Sequence, residues 1–133
     1  MKKTFLLICV ILIGSYGLFA QAPVQPATQD SIVFAKTIND YGTIEQGSNG
    51  ECEFKFTNKG KSPILLTNVA ASCGCTIPEW PKEPILPGKS SSIKVSYNTN
   101  IQGNFHKSIT VSSNAINNTL ILQIKGNVTP KVL

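Results

Sequence analysis

Gly50-Glu51-Cys52-Glu53-Phe54-Lys55-Phe56-Thr57-Asn58 alternates residue by residue, with Cys52, Phe54 and Phe56 to one side and Glu51, Glu53 and Lys55 to the other. Successive side chains point to opposite faces in an extended chain, so a period of two predicts a strand with one face in a core and one in water. Ser91–Asn98 repeats the pattern with Ile93, Val95 and Tyr97 inward, Phe105–Ser113 with Phe105, Ile109 and Val111, and Thr119–Val128 with Leu120, Leu122 and Ile124. Ile64–Ala71 is apolar on both faces, which predicts a central strand. Turn residues punctuate these runs: Gly47-Ser-Asn-Gly50, Asn58-Lys-Gly60-Lys-Ser-Pro63, Leu86-Pro-Gly88 and Asn114 to Asn118. No stretch carries a sustained helical period with caps. About seven short strands between Ile32 and Thr129 predict an all-β, immunoglobulin-like β-sandwich, with a small barrel as the alternative.

The chain has 133 residues, enough for one ordinary domain, and shows neither an internal repeat nor room for a second. Its ends read differently from its middle. Lys2-Lys3, the apolar run Phe5–Ile13 and the small residues leading to Ala20 predict a secretory signal peptide over residues 1–20, cut after Ala20 or Ala22. The apolar run is shorter than the ~20 residues that span a bilayer, so no stable membrane insertion is expected after cleavage. Cys9 sits inside that run rather than after it, which argues against a lipidated cysteine. Residues 21–31, rich in Pro, Ala and Gln, predict a flexible linker; residues 32–129 form the domain and 130–133 a short tail. The expected location is outside the cytoplasm, in the periplasm or at the cell surface.

All 12 basic residues are lysine, set against 7 acids. Without an arginine fork for guanine or phosphate, nucleic acid is not an expected partner. Past residue 20 there remain 10 lysines and 7 acids, a net of +3 that fits a solvated strand surface better than a polyanion-binding one.

Three cysteines lie beyond the expected leader: Cys52, Cys73 and Cys75. In an oxidising compartment two of the three should pair, and spacing alone leaves all three pairings open. Cys73 and Cys75, two apart in an extended strand, would have Cα atoms ~6.6 Å apart, near the upper limit for a disulfide. Gly74 is expected to relax this by permitting a tight turn, positive φ being open to it as to no other residue. Such a pair reads first as structural, with a reducible redox pair or a soft-metal grip as alternatives. A closed four-ligand zinc site would need all three cysteines and the single histidine, His106. No metal or other cofactor is expected. Cys52 reads as a small hydrophobe beside Phe54 and Phe56, and His106 as an exposed strand residue. No nucleophile–base–acid set is present, so no enzyme is expected.

Trp80 stands in the Pro-rich loop Pro78-Glu79-Trp80-Pro81, either packed over the edge of the core or exposed as a binding aromatic, packing being favoured. Trp80, Pro78 and Pro81 are therefore the candidate partner-binding residues, within a loop spanning Ala71–Pro87.

Asp40-Tyr-Gly-Thr-Ile-Glu-Gln-Gly47, Phe54-Lys-Phe-Thr-Asn58-Lys-Gly60, Ser72-Cys-Gly-Cys-Thr76, Pro84-Ile-Leu-Pro87-Gly88 and Gly126-Asn-Val128 together resemble a family of exported bacterial domains, the domain of unknown function numbered fifteen seventy-three. The resemblance covers Ile32 to Thr129, and Cys52 stands outside the shared pattern. More distantly, Asn58, Pro63-Ile64, Leu86-Pro87-Gly88 and Ile93-Lys-Val95 are similar to major-sperm-protein and ciliary immunoglobulin-like domains, which implies a non-catalytic interaction module. The expected function is an exported module that binds a protein or glycan in the bacterial envelope. The alternative is a thiol redox or copper/zinc site on Cys73 and Cys75.

Overall fold

The computed structural model describes residues 30–132, which places the expected leader and most of the expected linker outside the described residues. Eight strands follow in order: β1 (Ile32–Phe34), β2 (Ile38–Glu45), β3 (Glu51–Asn58), β4 (Leu66–Ala71), β5 (Thr76–Glu79), β6 (Ser90–Tyr97), β7 (Gly103–Ser113) and β8 (Thr119–Thr129). They form two four-stranded sheets, β1-β3-β6-β5 and β2-β8-β7-β4. This is an immunoglobulin-like β-sandwich.

The period-two strands do what their alternation predicts. Phe54 and Phe56 of β3, Ile93 and Val95 of β6, Ile109 and Val111 of β7, and Leu122, Ile124 and Val128 of β8 are all buried between the sheets. The run Ile64–Ala71 departs from expectation, because β4 is an edge strand paired only to β7. Its two-faced apolarity has another cause. Ile64 precedes β4 and is buried in a bridge with Ile85, Leu66 and Val69 face the core around a register shift, and Leu65 is exposed.

One run of chain supplies the border of both sheets. β1 pairs antiparallel with β3 at Ile32↔Asn58, Val33↔Thr57 and Phe34↔Phe56, and then the chain crosses over. β2 continues in the other sheet, parallel to β8 from Ile38↔Gln123 to Glu45↔Thr129. Each border strand is therefore covered over part of its length. Glu51–Phe54 of β3 and Thr119–Leu122 of β8 have no strand partner on that side among the described residues.

Asn58 ties the turns to the core. It is 0% exposed. Its backbone N–H donates to Lys89 O (2.9 Å) and its carbonyl accepts from Gly88 N (2.9 Å). Its side-chain amide donates to Ser62 O (2.8 Å) and Ile85 O (2.9 Å), and Oδ1 accepts from Gly60 N (2.8 Å). Asp30 anchors the same region, accepting from Lys61 N (2.7 Å) and Ser62 N (2.9 Å), which holds its carboxyl below the usual range. Residues 30 and 31, on the linker side of the sequence boundary, are thus already fastened to the domain.

Losing the Asn58 side chain would remove three hydrogen bonds, to Ser62 O, Ile85 O and Gly60 N, each contributing roughly 1 kcal/mol. Asn58→Ala is expected to lower stability by about 3 kcal/mol in urea unfolding, whereas Asn114→Ala, at an exposed turn, should cost less than about 1 kcal/mol.

Candidate functional site

The corner at Cys73–Cys75 carries thiol chemistry, and the border of β3 left uncovered where β1 gives way to β2 carries open backbone.

The corner is where the chain passes from one sheet to the other. Ser72 N donates to Ser108 O of β7, and three residues later Cys75 O accepts from Asn98 N, at the end of β6. Cys73 and Cys75 form a disulfide across this corner with Cα atoms 5.3 Å apart. Cys75 N donates to the Cys73 sulfur (3.2 Å), and Thr76, 3% exposed, sets its hydroxyl 4.0 and 3.8 Å from the two sulfurs. The expected tight turn at Gly74 is present and draws the Cα atoms closer than an extended strand would, but without positive φ, and a Cβ added there would meet nothing within 4 Å. The corner bends because the chain changes sheets, with no left-handed residue required.

Cys52 cannot join this pair. β6 lies between β3 and β5, and two strand spacings of ~4.8 Å exceed the reach of a disulfide. His106 is elsewhere again, exposed on β7 with Nε2 3.0 Å from Gln123 Oε1. Among the described residues no three His, Cys, Asp or Glu side chains assemble as a metal site, so the four-ligand zinc arrangement is not formed.

Of the loop candidates, Trp80 packs half-buried against the core, with the Lys82 ammonium 3.0 Å from its ring centroid. Pro78 and Pro81 are half-buried beside it. β5 borders its sheet, and its odd-numbered residues bond to β6, since Cys75 O accepts from Asn98 N. The nitrogen of Pro78 therefore faces outward, where proline removes a donor that another strand could use. Ile77, 62% exposed, leaves an apolar spot on an edge that is otherwise blunted.

The uncovered border of β3 is the opposite case. Gly50 O accepts from Tyr97 N and Lys55 O accepts from Ala35 N, so even-numbered residues of β3 bond to β6 and odd-numbered ones face outward. Glu51 N is taken by Asn49 Oδ1 (2.9 Å). Among the described residues no hydrogen bond reaches the outward N–H or C=O of Glu53, or the C=O of Glu51. Beside this border lies a groove of about 620 Å³, walled by Ala35–Tyr41 on one side and Glu51–Lys55 on the other. Cys52 lines it, half-buried and not in a disulfide. Period-two reading finds these residues but not the groove, which depends on where β1 stops.

The groove's inner end is built by the Asp40-Tyr41-Gly42 motif. Asp40 Oδ1 accepts from Gly42 N (2.8 Å), and Gly42 takes φ 64°, a left-handed conformation natural to glycine. The register of β2 shifts there, so Tyr41 and Ile44, three apart, both turn inward. The Tyr41 hydroxyl donates to Gly50 O (2.7 Å), and its ring meets Phe105 at 5.7 Å, which in turn stacks on Tyr97 at 3.8 Å. Gly126 makes this possible: a Cβ there would fall 2.9 Å from the Phe105 ring and 3.0 Å from Tyr41 Cβ.

Burial pushes the Cys52 thiol up, against the pull of the hydrogen-bonded Tyr41 phenol and the Lys36 ammonium. The Tyr41 phenol is itself pushed far up, first by burial and then by Cys52, and burial raises Tyr97.

Comparison with known proteins agrees with this architecture. Residues 32–128 match the family model described as a protein of unknown function (DUF1573). No curated protein matches the chain. A protein of unknown function from Porphyromonas gingivalis W83 superposes with a TM-score of 0.67 at 17% identity over 80% of this chain, which spans about half (51%) of that one. The ASH / PapD-like domain 7 of human CEP192 gives 0.66 at 10% identity, covering 84% of this chain and 94% of that domain. The CsuC-CsuE chaperone–tip adhesion subunit complex of Acinetobacter baumannii gives 0.56 at 11% identity, covering 74% of this chain and 57% of that one. At these identities the likeness is one of fold.

Two outcomes test the site chemistry. A disulfide closing so short a loop removes little chain entropy, about 1.5 kcal/mol, so Cys73→Ser/Cys75→Ser should still fold and lose no more than that in urea; Gly74→Ala should change stability by less than about 1 kcal/mol. The second concerns pH. A thiol whose folded-state pKa lies above its unfolded value adds stability that is full below the ordinary value of 9.0 and is lost as pH rises past it. Urea midpoints should hold level to about pH 8.5 and then fall, and Cys52→Ala should move the onset up toward the tyrosine range.

Proposed function

The chain belongs to the DUF1573 family, whose description names no activity, and we propose that it is an exported, non-catalytic immunoglobulin-like module that binds a protein partner in the bacterial envelope. The observation that carries this is the half-covered border of β3, where, among the described residues, the N–H and C=O of Glu53 and the C=O of Glu51 stand free beside a groove. A strand in that state pairs readily with an added strand, and natural sheets usually cover, blunt or charge such edges. On the far border of the same sheet Pro78 blunts β5; on this one no proline intervenes between Glu51 and Lys55.

The kind of partner is supported by the fold comparison. The Acinetobacter baumannii structure is of a chaperone with a tip adhesion subunit, so one relative of this fold is engaged with another protein. Export is supported by the leader-like residues 1–20 and by a disulfide, which persists in oxidising compartments. Between protein and glycan, free main-chain groups in an extended row favour protein. The Cys73–Cys75 pair is read as a clamp on the sheet-to-sheet corner, its two sulfurs committed to each other.

Photocrosslinking in the producing bacterium tests the reading. With p-benzoylphenylalanine at Glu53, one discrete protein adduct is expected in the envelope fraction, and none with the probe at Glu79 on the blunted border. Absence of any adduct at Glu53, or recovery of the protein from the cytoplasm alone, would overturn it.

A further inference from the structure

The outer face of the β1-β3-β6-β5 sheet carries an ordered row of charge. Glu79 of β5 stands opposite Lys94 of β6, and Lys94 opposite Glu53 of β3. The signs alternate across three strands, and opposite charges on directly facing strand residues stabilise the pairing. The next place in the row, beyond Glu53, holds no strand among the described residues, because β1 has left the sheet. One row along, Glu51 faces Ser96 and has no cation opposite it within the sheet.

Resting on the binding role proposed above, we infer that this half-border receives an extended segment of a partner protein in which cationic and apolar residues alternate. The segment lies antiparallel to β3, on the line that β1 abandons. Two cations oppose Glu51 and Glu53, and the residue between them lies over Cys52 and enters the groove. Lys55 closes the site, since its carbonyl is already taken by Ala35 N and its charge would repel a third cation.

The register follows from the backbone. Glu53 directs its N–H and C=O outward and exchanges both with its new neighbour. Cys52 directs its own toward β6, so it faces the added strand as a non-hydrogen-bonded pair, the kind with Cα atoms only ~4.5 Å apart. The thiol therefore sits within disulfide reach of a cysteine in the opposite position.

Charge decides against the other occupants. A second copy pairing border to border about Cys52 would set Glu51 against Glu53 twice, and like charges directly opposite are destabilising. Residues 21–29 of this chain contain no lysine at all. The chain holds seven acids, and three of them, Asp40, Glu51 and Glu53, line this one groove. Asp40 has Lys125 within 3.9 Å, and Lys36 is engaged with Asn39 (2.8 Å), which leaves Glu51 and Glu53 to select the partner.

The test uses the chain as recovered from the cell, carrying Cys9→Ser, with capped peptides containing Lys-Val-Lys or Glu-Val-Glu between threonines. Fluorescence anisotropy should show the lysine peptide binding at least tenfold more tightly. Glu51→Lys/Glu53→Lys should reverse that preference. Glu53→Pro, which removes an outward N–H and leaves the β6 ladder intact, should abolish binding with an unchanged circular dichroism spectrum.

Register is read separately. In the Lys-Cys-Lys peptide, activated as its thionitrobenzoate mixed disulfide, the cysteine sulfur should be attacked by the Cys52 thiolate, forming the Cys52–peptide disulfide as the bond to thionitrobenzoate breaks and that thiolate leaves. The exchange should run at least tenfold faster than with Cys-Lys-Lys or Glu-Cys-Glu. Equal affinity of the two valine peptides, or no binding by either, would overturn the inference. So would a dimer in sedimentation that Glu53→Pro dissolves, or peptide binding that appears only once residues 21–29 are removed. A crosslinked partner at Glu53 alongside peptide failure would sink the partner chemistry alone, whereas failure of both would sink the binding role as well.

Discussion

A single short run of chain has to border two sheets. Residues 32–45 begin as β1 beside β3 and end as β2 beside β8, and no chain of that length can run the full border of both. At ~3.3 Å per residue, β1 covers roughly 10 Å of a β3 more than twice as long. The shortfall leaves the outward backbone of Glu53 and the Glu51 carbonyl unpaired among the described residues, opens the groove between the sheets, and puts Cys52 in that groove rather than in the sealed core. Everything proposed about binding follows from that crossing.

The opposite side of the sandwich meets the same problem and solves it differently. There β4 hands over to β5 at Cys73-Gly74-Cys75, and the disulfide holds the corner while Thr76 packs behind it. Pro78 then removes an outward donor and Trp80 folds over the core. One border is clamped and blunted, and the other is left with free backbone and an unmatched row of charge. The contrast is chemical, written in which side chains occupy otherwise equivalent border positions.

Between the two, a few buried polar and glycine positions keep the turns in place. Asn58 spends every donor and acceptor it has on five backbone partners drawn from Gly60, Ser62, Ile85, Gly88 and Lys89. That explains why a polar side chain with 0% exposure is tolerated in the core. Gly126 gives way to the Phe105 ring, and Gly42 supplies the left-handed kink that turns Tyr41 inward. These residues belong to the motifs by which the sequence resembles its family, and each has a local physical reason for being what it is.

The alternation of Gly50–Asn58 and of the later strands was enough to determine an all-β fold and its inward-facing residues, because period two is a local property of an extended chain. That the strands make two sheets rather than a small barrel was decided by their pairing. The three cysteines beyond the expected leader were enough to leave one thiol outside any pair among themselves. Pairing was settled only in three dimensions, since it turns on β6 lying between Cys52 and the other two. The edge position of β4 was hidden because Ile64 and Leu65 look like strand on both faces while doing unrelated work. The turn at Gly74 was legible from a glycine between two cysteines, but its handedness was not, because the change of sheet supplies the bend without a left-handed residue. The open border of β3 was beyond reach of the sequence for the deepest reason: alternation reports which way a side chain points, and is silent on whether the backbone beside it has a neighbour. That is decided by where other strands stop, and only the tertiary structure knows it.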